Sequence, residues 1–353
     1  MAWTMTQQPT WLEQARDAER RGDVAAETAV LTAAIQSDRR NIAAILAMAE
    51  LQRSLRDDRA AGTFYRLALG TAAQMGNVPA SLHPGLQRAE QFLVASERAF
   101  ADHLLGQLRD AGIDARTATP RVAEALRLLA GEQEVYLQQP SMFYFPGLAQ
   151  RPFFDRAMFD WVHDIEAATH AIRTEVLALI DAASDRFGPY VTAAPNRPPP
   201  NNPLLDKPDW GAAWLWKDGK VAEGMDMLCP AALSALECAP QPVIPGRAPL
   251  ALFSRLTPGT HIQPHHGMLN TRLICHLPLV VPDGCGLRVG AETRSWTEGE
   301  MLIFDDSFEH EAWNRGASDR TILLFEIWRP DIDADEREQL TRIFSAIDSY
   351  SGQ

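Results

Sequence analysis

The chain has 353 residues, with 46 acidic and 33 basic side chains, which gives a formal net charge of −13. A hydrophobic share of 46% and a charged share of 22% are typical of a folded globular protein. The acidic balance argues against nucleic-acid binding, which requires basic surface, and no apolar run approaches the roughly 18 residues of a membrane span. Four scattered cysteines exclude a disulfide framework, and the first residues lack the pattern of a secretory signal, so a cytoplasmic enzyme is expected.

Residues 1–118 are predicted to form a helical repeat region. Their apolar side chains recur every three or four positions, which is the period of amphipathic helices. Similar residues also recur at an offset of 34, so that Trp11 aligns with Ile45 and Asp23 aligns with Asp57. This period resembles the tetratricopeptide repeat, in which helix pairs stack on one another. A plain helical bundle with coincidental alanine spacing is the alternative.

Residues 119–208 are predicted to be a connecting segment, and residues 209–353 a β-rich domain. The connecting segment combines helical patterns with an aromatic stretch and with six prolines between Pro195 and Pro208. Seven apolar runs of strand length follow: LALFSRL, TRLICHLPLVV, GLRVG, TRSWT, MLIFD, HEAWNR and RTILLFEIW. Short strands without long helices between them indicate a sandwich, a jelly roll or a barrel, so the predicted fold class is α+β.

Five histidines lie within a window of 50 residues in this β region: His261, His265, His266, His276 and His310. His265 precedes a glycine-containing loop. His310 lies 45 residues later, at the end of the acidic turn FDDSFEH. Neutral imidazoles bind Fe, Zn, Cu or Ni, so the pattern is compatible with a metal site. A buried, hydrogen-bonded core histidine is the alternative for any one of these residues, above all for His276 in its apolar strand.

Three neighbouring segments resemble the aspartyl/asparaginyl β-hydroxylase family: FSRLTPGTHIQPHHGMLNTRLICHLPLVVP, GCGLRVGAETRSWTEGEMLIFDDSFEHEAWN and RTILLFEIWRPDI. The similarity runs almost without gaps from Phe253 to Ile332 and continues more weakly upstream to Phe143. Members of this family are Fe(II)/2-oxoglutarate oxygenases with a double-stranded β-helix, a jelly-roll or cupin-like fold. Animal members also carry a tetratricopeptide-like helical region, which favours the repeat interpretation of residues 1–118.

The resemblance implies that His265 and His310 are the iron ligands. Gly267 stands where most 2-oxoglutarate oxygenases have the Asp or Glu of the facial triad, so a site with two histidines and water in the vacant position is expected. Asp306, four residues before His310, is the candidate acid that compensates by holding this water. The alternative is that Asp306 only shapes the turn.

The resemblance also implies a binding site for 2-oxoglutarate. Arg320 is the expected partner of its distal carboxylate, and Ser254 and His276 match the family's other contacts with this cosubstrate. Animal members have an arginine two residues before the strand histidine, where this chain has Ile274. Arg272 remains and is predicted to meet an anionic group of the substrate. An exposed arginine at the start of a strand is the alternative for Arg320.

Together these features predict an Fe(II)/2-oxoglutarate-dependent dioxygenase that consumes O2 and releases succinate and CO2. His265, His310 and Asp306 are the expected catalytic residues. The expected reaction is hydroxylation of an unactivated C–H bond, such as the β-carbon of Asp or Asn, in a peptide, a protein or a small amino acid. One alternative is a halogenase that accepts chloride in the vacant ligand position. Another is a non-catalytic metal-bearing module beside a repeat scaffold.

Overall fold

A computed structural model describes residues 10–114, 116–182, 186–193 and 198–351 of the chain. The chain divides into two compact units, Met1–Glu134 and Val135–Gln353. The division lies within the predicted connecting segment, residues 119–208, which therefore contributes to both units. Within the described residues, no helix combines the length and the apolar character needed to cross a membrane.

The described part of the first unit consists of helices and their connections. The helices are α1 (Trp11–Arg21), α2 (Val24–Ser37), α3 (Ile42–Ser54), α4 (Asp58–Met75), α5 (His83–Asp110) and α6 (Pro120–Leu129), with a short 3-10 helix at Ala80–Leu82.

Two helix pairs, α1–α2 and α3–α4, account for the spacing of 34 residues. Asp23 and Asp57 each precede the second helix of a pair, and each side chain accepts a hydrogen bond from the backbone N–H of the third residue of that helix. Leu31 and Tyr65, which are also 34 positions apart, are fully buried. The sequence period thus reflects repeated helix pairs, while the assignment to the tetratricopeptide repeat stays a prediction.

The second unit combines helices with two antiparallel sheets. Its helices are α7 (Val162–Ala167), α8 (Thr169–Asp181), α9 (Met225–Leu228), α10 (Pro230–Leu236) and α11 (Ala334–Ser351), with a 3-10 helix at Arg156–Met158. Its strands are β1 (Phe153–Phe154), β2 (Gly188–Pro189), β3 (Trp210–Lys217), β4 (Lys220–Val221), β5 (Ala251–Leu256), β6 (His261–His265), β7 (Arg272–Val280), β8 (Cys285–Val289), β9 (Glu292–Arg294), β10 (Leu302–Phe304), β11 (His310–Asn314) and β12 (Arg320–Trp328). The prediction of mixed helix and sheet is confirmed.

From β5 to β12 the strands alternate between the two sheets, except that β8 and β9 both belong to the smaller sheet. The larger sheet has the order β1-β10-β7-β12-β5-β3-β2, with β4 beside β3, and the smaller sheet has the order β6-β11-β8-β9. The chain therefore crosses repeatedly from one sheet to the other, as in a two-sheet jelly roll. This topology brings the ends of distant strands to one interior.

The larger sheet is buried on both faces. On β12, Leu323 and Phe325 pack into the core that the sheet forms with the helices of this unit, whereas Ile322 and Leu324 face the smaller sheet. The same alternation holds on β7, because successive side chains of a strand point to opposite faces. The even-numbered positions of these two strands therefore line the interior between the sheets.

Candidate active site between the two sheets

One cavity of about 110 Å³ lies between the sheets and is lined by every site residue that the sequence singles out. These residues are Ser254, His265, Arg272, His276, Asp306, His310 and Arg320. They come from β5, β6, β7, β11, β12 and the turn before β11, so the jelly-roll topology is what gathers them. Their roles stay predictions, and the geometry of each is described below.

His265 and His310 are cross-strand neighbours at the paired ends of β6 and β11, with ring centroids 4.1 Å apart. The Nδ1–H of His265 donates to the carbonyl oxygen of Gln263 at 2.8 Å, and that of His310 donates to the carbonyl oxygen of Phe308 at 3.0 Å. These hydrogen bonds fix the tautomer and leave both Nε2 atoms available as ligands. Burial, and after it the proximity of His265, lowers the pKa of His310 to about 3, so its ring is neutral near pH 7.

This arrangement fits a divalent transition metal held by two imidazoles. Both rings are oriented through their Nδ1 atoms, as ligating histidines usually are. Within the described part of the chain, no group of three His, Cys, Asp or Glu side chains forms a potential metal site. Of the other histidines, His261 lies on β6 but its Nε2 bonds Glu311 at 2.6 Å, outside the cavity.

Asp306 occupies the space beside Gly267. A Cβ atom on Gly267 would overlap with this carboxylate, at 2.6 Å from its Oδ1. The Gly267 N–H also donates to the backbone carbonyl of Asp306 at 2.6 Å, which holds the two residues together. Asp306 Oδ1 is buried and has no hydrogen-bond partner among the described residues. Burial raises the pKa of Asp306, against the opposing effects of Arg272 and His265.

Arg320 is a buried cation at the far end of the cavity. It is 1% exposed, its guanidinium lies 5.0 Å from the centre of the Trp296 ring, and its Nε has no hydrogen-bond partner in the described structure. Burial lowers its pKa to about 10, which still leaves it charged near pH 7. A buried charge without a counter-ion is costly, so this geometry is suited to an anionic ligand.

Ser254 and His276 face the same end of the cavity and are oriented by tryptophans. Trp296 Nε1–H donates to His276 Nδ1 at 3.3 Å, and Trp210 Nε1–H donates to Ser254 Oγ at 3.2 Å. Burial, and then the charge of Arg320, lowers the pKa of His276 well below its usual value. The neutral ring therefore carries its proton on Nε2, and both residues retain a hydrogen that can be donated to a carboxylate.

Arg272 lies at the opposite end of the cavity from Arg320 and is ion-paired. It contacts Glu326 through Nη1 and Asp306 through Nη2, the latter at 3.4 Å. Burial alone would lower the pKa of Arg272, but the two carboxylates raise it above its usual range. Its charge is therefore shared between an acid beside the histidines and an acid at the end of β12.

The sequence interpretation did not identify Glu326, Tyr190 or Trp210 as part of this environment. Glu326 is six residues after Arg320 on β12, so the two-residue period of the strand could have placed it on the same face. Tyr190 stacks on Trp210 with ring centroids 4.0 Å apart, and both line the cavity. Tyr190 lies in the connecting segment just before its proline-rich stretch, where no periodic signal could have revealed it.

A buried ion pair supports the turn that precedes His310. Arg329 contacts Asp305, and both side chains are fully buried. The Asp305 carboxylate also accepts hydrogen bonds from Gln138 Nε2 at 2.7 Å and from the Ser307 backbone at 2.9 Å. Burial raises the pKa of Asp305 to about 6, so its carboxyl is still largely ionised near pH 7. This network fixes the backbone that carries Asp306.

Comparison with known proteins shows which family part of this chain resembles. Residues 166–330 match the sequence profile of the family described as Aspartyl/Asparaginyl beta-hydroxylase. The human Aspartyl/asparaginyl beta-hydroxylase is 34% identical over 209 residues, which cover 58% of this chain and 26% of the human protein. The human Aspartate beta-hydroxylase domain-containing protein 2 is 31% identical over 215 residues, which cover 59% of this chain and 56% of that protein. The resemblance that the motifs indicate is thus confirmed, and the matched segment spans only about a quarter to a half of these relatives.

Two solved structures are similar at a low level. A predicted oxalate decarboxylase from Thermotoga maritima has 14% identity and a TM-score of 0.23, covering 34% of this chain and 81% of its own. A Cupin 2 conserved barrel domain protein from Salinispora arenicola has 12% identity and a TM-score of 0.23, covering 37% of this chain and 81% of its own. Both scores are below 0.5, and neither likeness supports a statement about function.

Proposed function

From the match of residues 166–330 to the aspartyl/asparaginyl β-hydroxylase family, we propose that this protein is an Fe(II)/2-oxoglutarate-dependent dioxygenase with a double-stranded β-helix. The observation that carries the proposal is the placement of two groups in one cavity. A pair of histidines with free Nε2 atoms lies at one side, and the buried unpaired guanidinium of Arg320 lies at the other.

His265 and His310 would hold Fe(II), and Arg320, Ser254 and His276 would hold 2-oxoglutarate. When bound, iron, 2-oxoglutarate and O2 supply the oxidation that hydroxylates an unactivated C–H bond and releases succinate and CO2. Arg320 binds the distal carboxylate through its guanidinium, which stays charged when buried. Ser254 Oγ–H and His276 Nε2–H donate to the same carboxylate, so that three donors fix the orientation of the cosubstrate.

Asp306 provides the anionic charge that a triad carboxylate at position 267 would otherwise supply. Its carboxylate overlaps the space of a side chain at Gly267, and its free Oδ1 can accept a hydrogen bond from water in the cavity. Arg272 holds Asp306 in place through their ion pair, and its guanidinium, which lines the cavity, also faces the substrate. We infer that the substrate is an Asp, an Asn or a related residue of a peptide or protein.

The same observation about Asp306 disfavours a halogenase. Such an enzyme needs room for chloride in the ligand position vacated by the triad carboxylate. Here the space beside Gly267 is filled by a carboxylate, and an anion next to it would be repelled. A non-catalytic module is disfavoured by Arg320, because a binding scaffold has no need of an unpaired buried cation.

The test is succinate formation by the iron-loaded protein from 2-oxoglutarate. We expect that His265→Ala and His310→Ala each abolish it, because one remaining imidazole cannot hold the metal. His261→Ala is the matched control, since His261 lies on the same strand but outside the cavity. Full activity in either cavity variant, or equal losses in all three, would contradict the assignment.

A further inference from the structure

A second cavity, of about 310 Å³, adjoins the active-site cavity and shares Leu250 and Arg272 in its wall. It continues along the same faces of the same strands. On β12, Ile322 and Leu324 line the first cavity, and Glu326 and Trp328 line the second. From Arg320 to Glu326 this face spans six residues, or about 20 Å, which runs from the 2-oxoglutarate end to the opposite end.

The wall of the second cavity is mostly apolar. Trp328 and Phe344 are buried on one side, and Met142 and Met268 stand at the rim with exposures of 44% and 48%. Exposed methionines are flexible and polarisable, so they adapt to side chains of different shape. A mostly apolar cavity of this size, with a few polar groups, is typical of a ligand site.

The two arginines that line this cavity are already paired, and the carboxylate of Asp218, which also lines it, is exposed. Arg272 contacts Glu326, and Arg247 contacts Asp348 while lying 5.2 Å from the ring of Phe344. Neither described arginine of this wall offers an unpaired charge to a ligand. The wall therefore offers no free cation to an acidic group, and its apolar side chains, which outnumber its charged ones, are complementary to a neutral apolar group.

We propose that this second cavity binds an apolar side chain that flanks the oxidised residue of the substrate. The inference rests on the proposed function and adds the specificity of the site. A free amino acid would leave the second cavity unused, whereas a peptide places a neighbouring side chain along β12 beyond Arg272. Leu, Ile, Met or Phe next to the oxidised residue is then preferred over Ser or Asp.

The experiment uses the full-length iron-loaded protein and a pool of short blocked peptides. Each peptide has a central Asp or Asn and randomised flanking positions, and mass spectrometry identifies products that have gained one oxygen. We expect apolar residues to be enriched roughly tenfold at one flanking position, in keeping with the selectivity of apolar pockets. Met142→Asp should remove this enrichment, whereas Met142→Leu should keep it. Met227→Asp is the matched control, because Met227 is 80% exposed and lies outside both cavities.

Products without an apolar preference, or a preference unchanged by Met142→Asp, would overturn the proposal. It would also be overturned if free aspartate were oxidised as well as the best peptide, or if a dispersed long-chain acyl amide were oxidised and no peptide were. Binding of 2-oxoglutarate, measured separately by titration, distinguishes these results from failure of the proposed function, in which the cosubstrate would not bind at all.

Discussion

In the proposed function, Arg320 is the residue on which binding of 2-oxoglutarate depends most directly. Its Nε lacks a partner among the described residues, and Trp296 contributes only a ring face. We therefore expect an anionic ligand to supply the partner. His265, His310 and Asp306, which line the same cavity, could not replace this cation.

We expect Arg320→Ala to weaken 2-oxoglutarate binding by about ten- to a hundredfold, since a charge-assisted hydrogen bond is worth roughly 1.5–3 kcal/mol. Arg320→Lys should recover part of the loss, because a lysine keeps the charge but not the fork of donors. Arg315→Ala, at an exposed position just before β12, is the control. Calorimetric titration of 2-oxoglutarate checks this, and unchanged affinity in Arg320→Ala would show that the carboxylate binds elsewhere.

The position of Asp306 depends on the absence of a side chain at Gly267. Because a Cβ on Gly267 would overlap with the carboxylate, Gly267→Ala must displace Asp306 and weaken its contact with Arg272. We expect Gly267→Ala to lower the rate of succinate formation while the circular dichroism spectrum stays unchanged. Gly267→Asp should not restore a better enzyme, since it adds a second anion to the same space. Full activity of Gly267→Ala would mean that the position of Asp306 is unimportant.

At the scale of elements, the strands differ in how well sequence reveals them. β7 and β12 are long apolar runs and are predicted in place, whereas β6, which carries His265, is missing from the seven predicted strands. Its sequence HIQPH is polar, largely exposed and contains Pro264, which usually argues against a strand. The resemblance of the motif to a family, rather than periodicity, is what identified His265.

The pairing of Glu326 with Arg272 could not be predicted from the sequence for a different reason. Charged residues inside an apolar strand pattern signal a buried contact, but the partner depends on which strands are neighbours. That order, with β12 between β7 and β5, comes from the jelly-roll topology and not from local pattern. The side chains that share one face of a strand can therefore be predicted from the sequence. Contacts between side chains on different strands can be assigned only when the order of the strands is known.

The turn between β10 and β11 depends on one buried ion pair. Arg329→Ala removes the only cation in contact with Asp305 among the described residues, and breaking a buried pair in this way costs about 3–5 kcal/mol. Asp305→Asn should cost less, because Arg329 keeps its contact with Asp331 at 2.9 Å. Denaturant unfolding gives the free energies. Arg342→Ala, which breaks an exposed pair with Glu338, is the control and should change stability by less than about 1 kcal/mol. A similar small change in Arg329→Ala would contradict the structural role of the pair.

At the scale of the whole molecule, the residues of the two cavities and the helix pairs lie in different compact units. Every residue that lines the active-site cavity or the second cavity belongs to Val135–Gln353. The helix pairs belong to Met1–Glu134. The residues proposed to carry the chemistry thus lie in the second unit, and for the helical repeats we infer recognition of a peptide or protein substrate.

A protein consisting of residues 135–353 separates these tasks. We expect it to bind 2-oxoglutarate with the affinity of the full chain, because Arg320, Ser254 and His276 and the tryptophans that orient them are all retained. Its turnover of a peptide substrate should fall, since the repeat surface is gone. Introducing Arg320→Ala into both proteins should weaken binding equally. Circular dichroism establishes that the shorter protein is folded, and in a folded sample the loss of 2-oxoglutarate binding would show that the site is incomplete without the helices. Undiminished peptide turnover would instead remove the recognition role from the repeats, because the second unit would then contain every contact that the substrate needs.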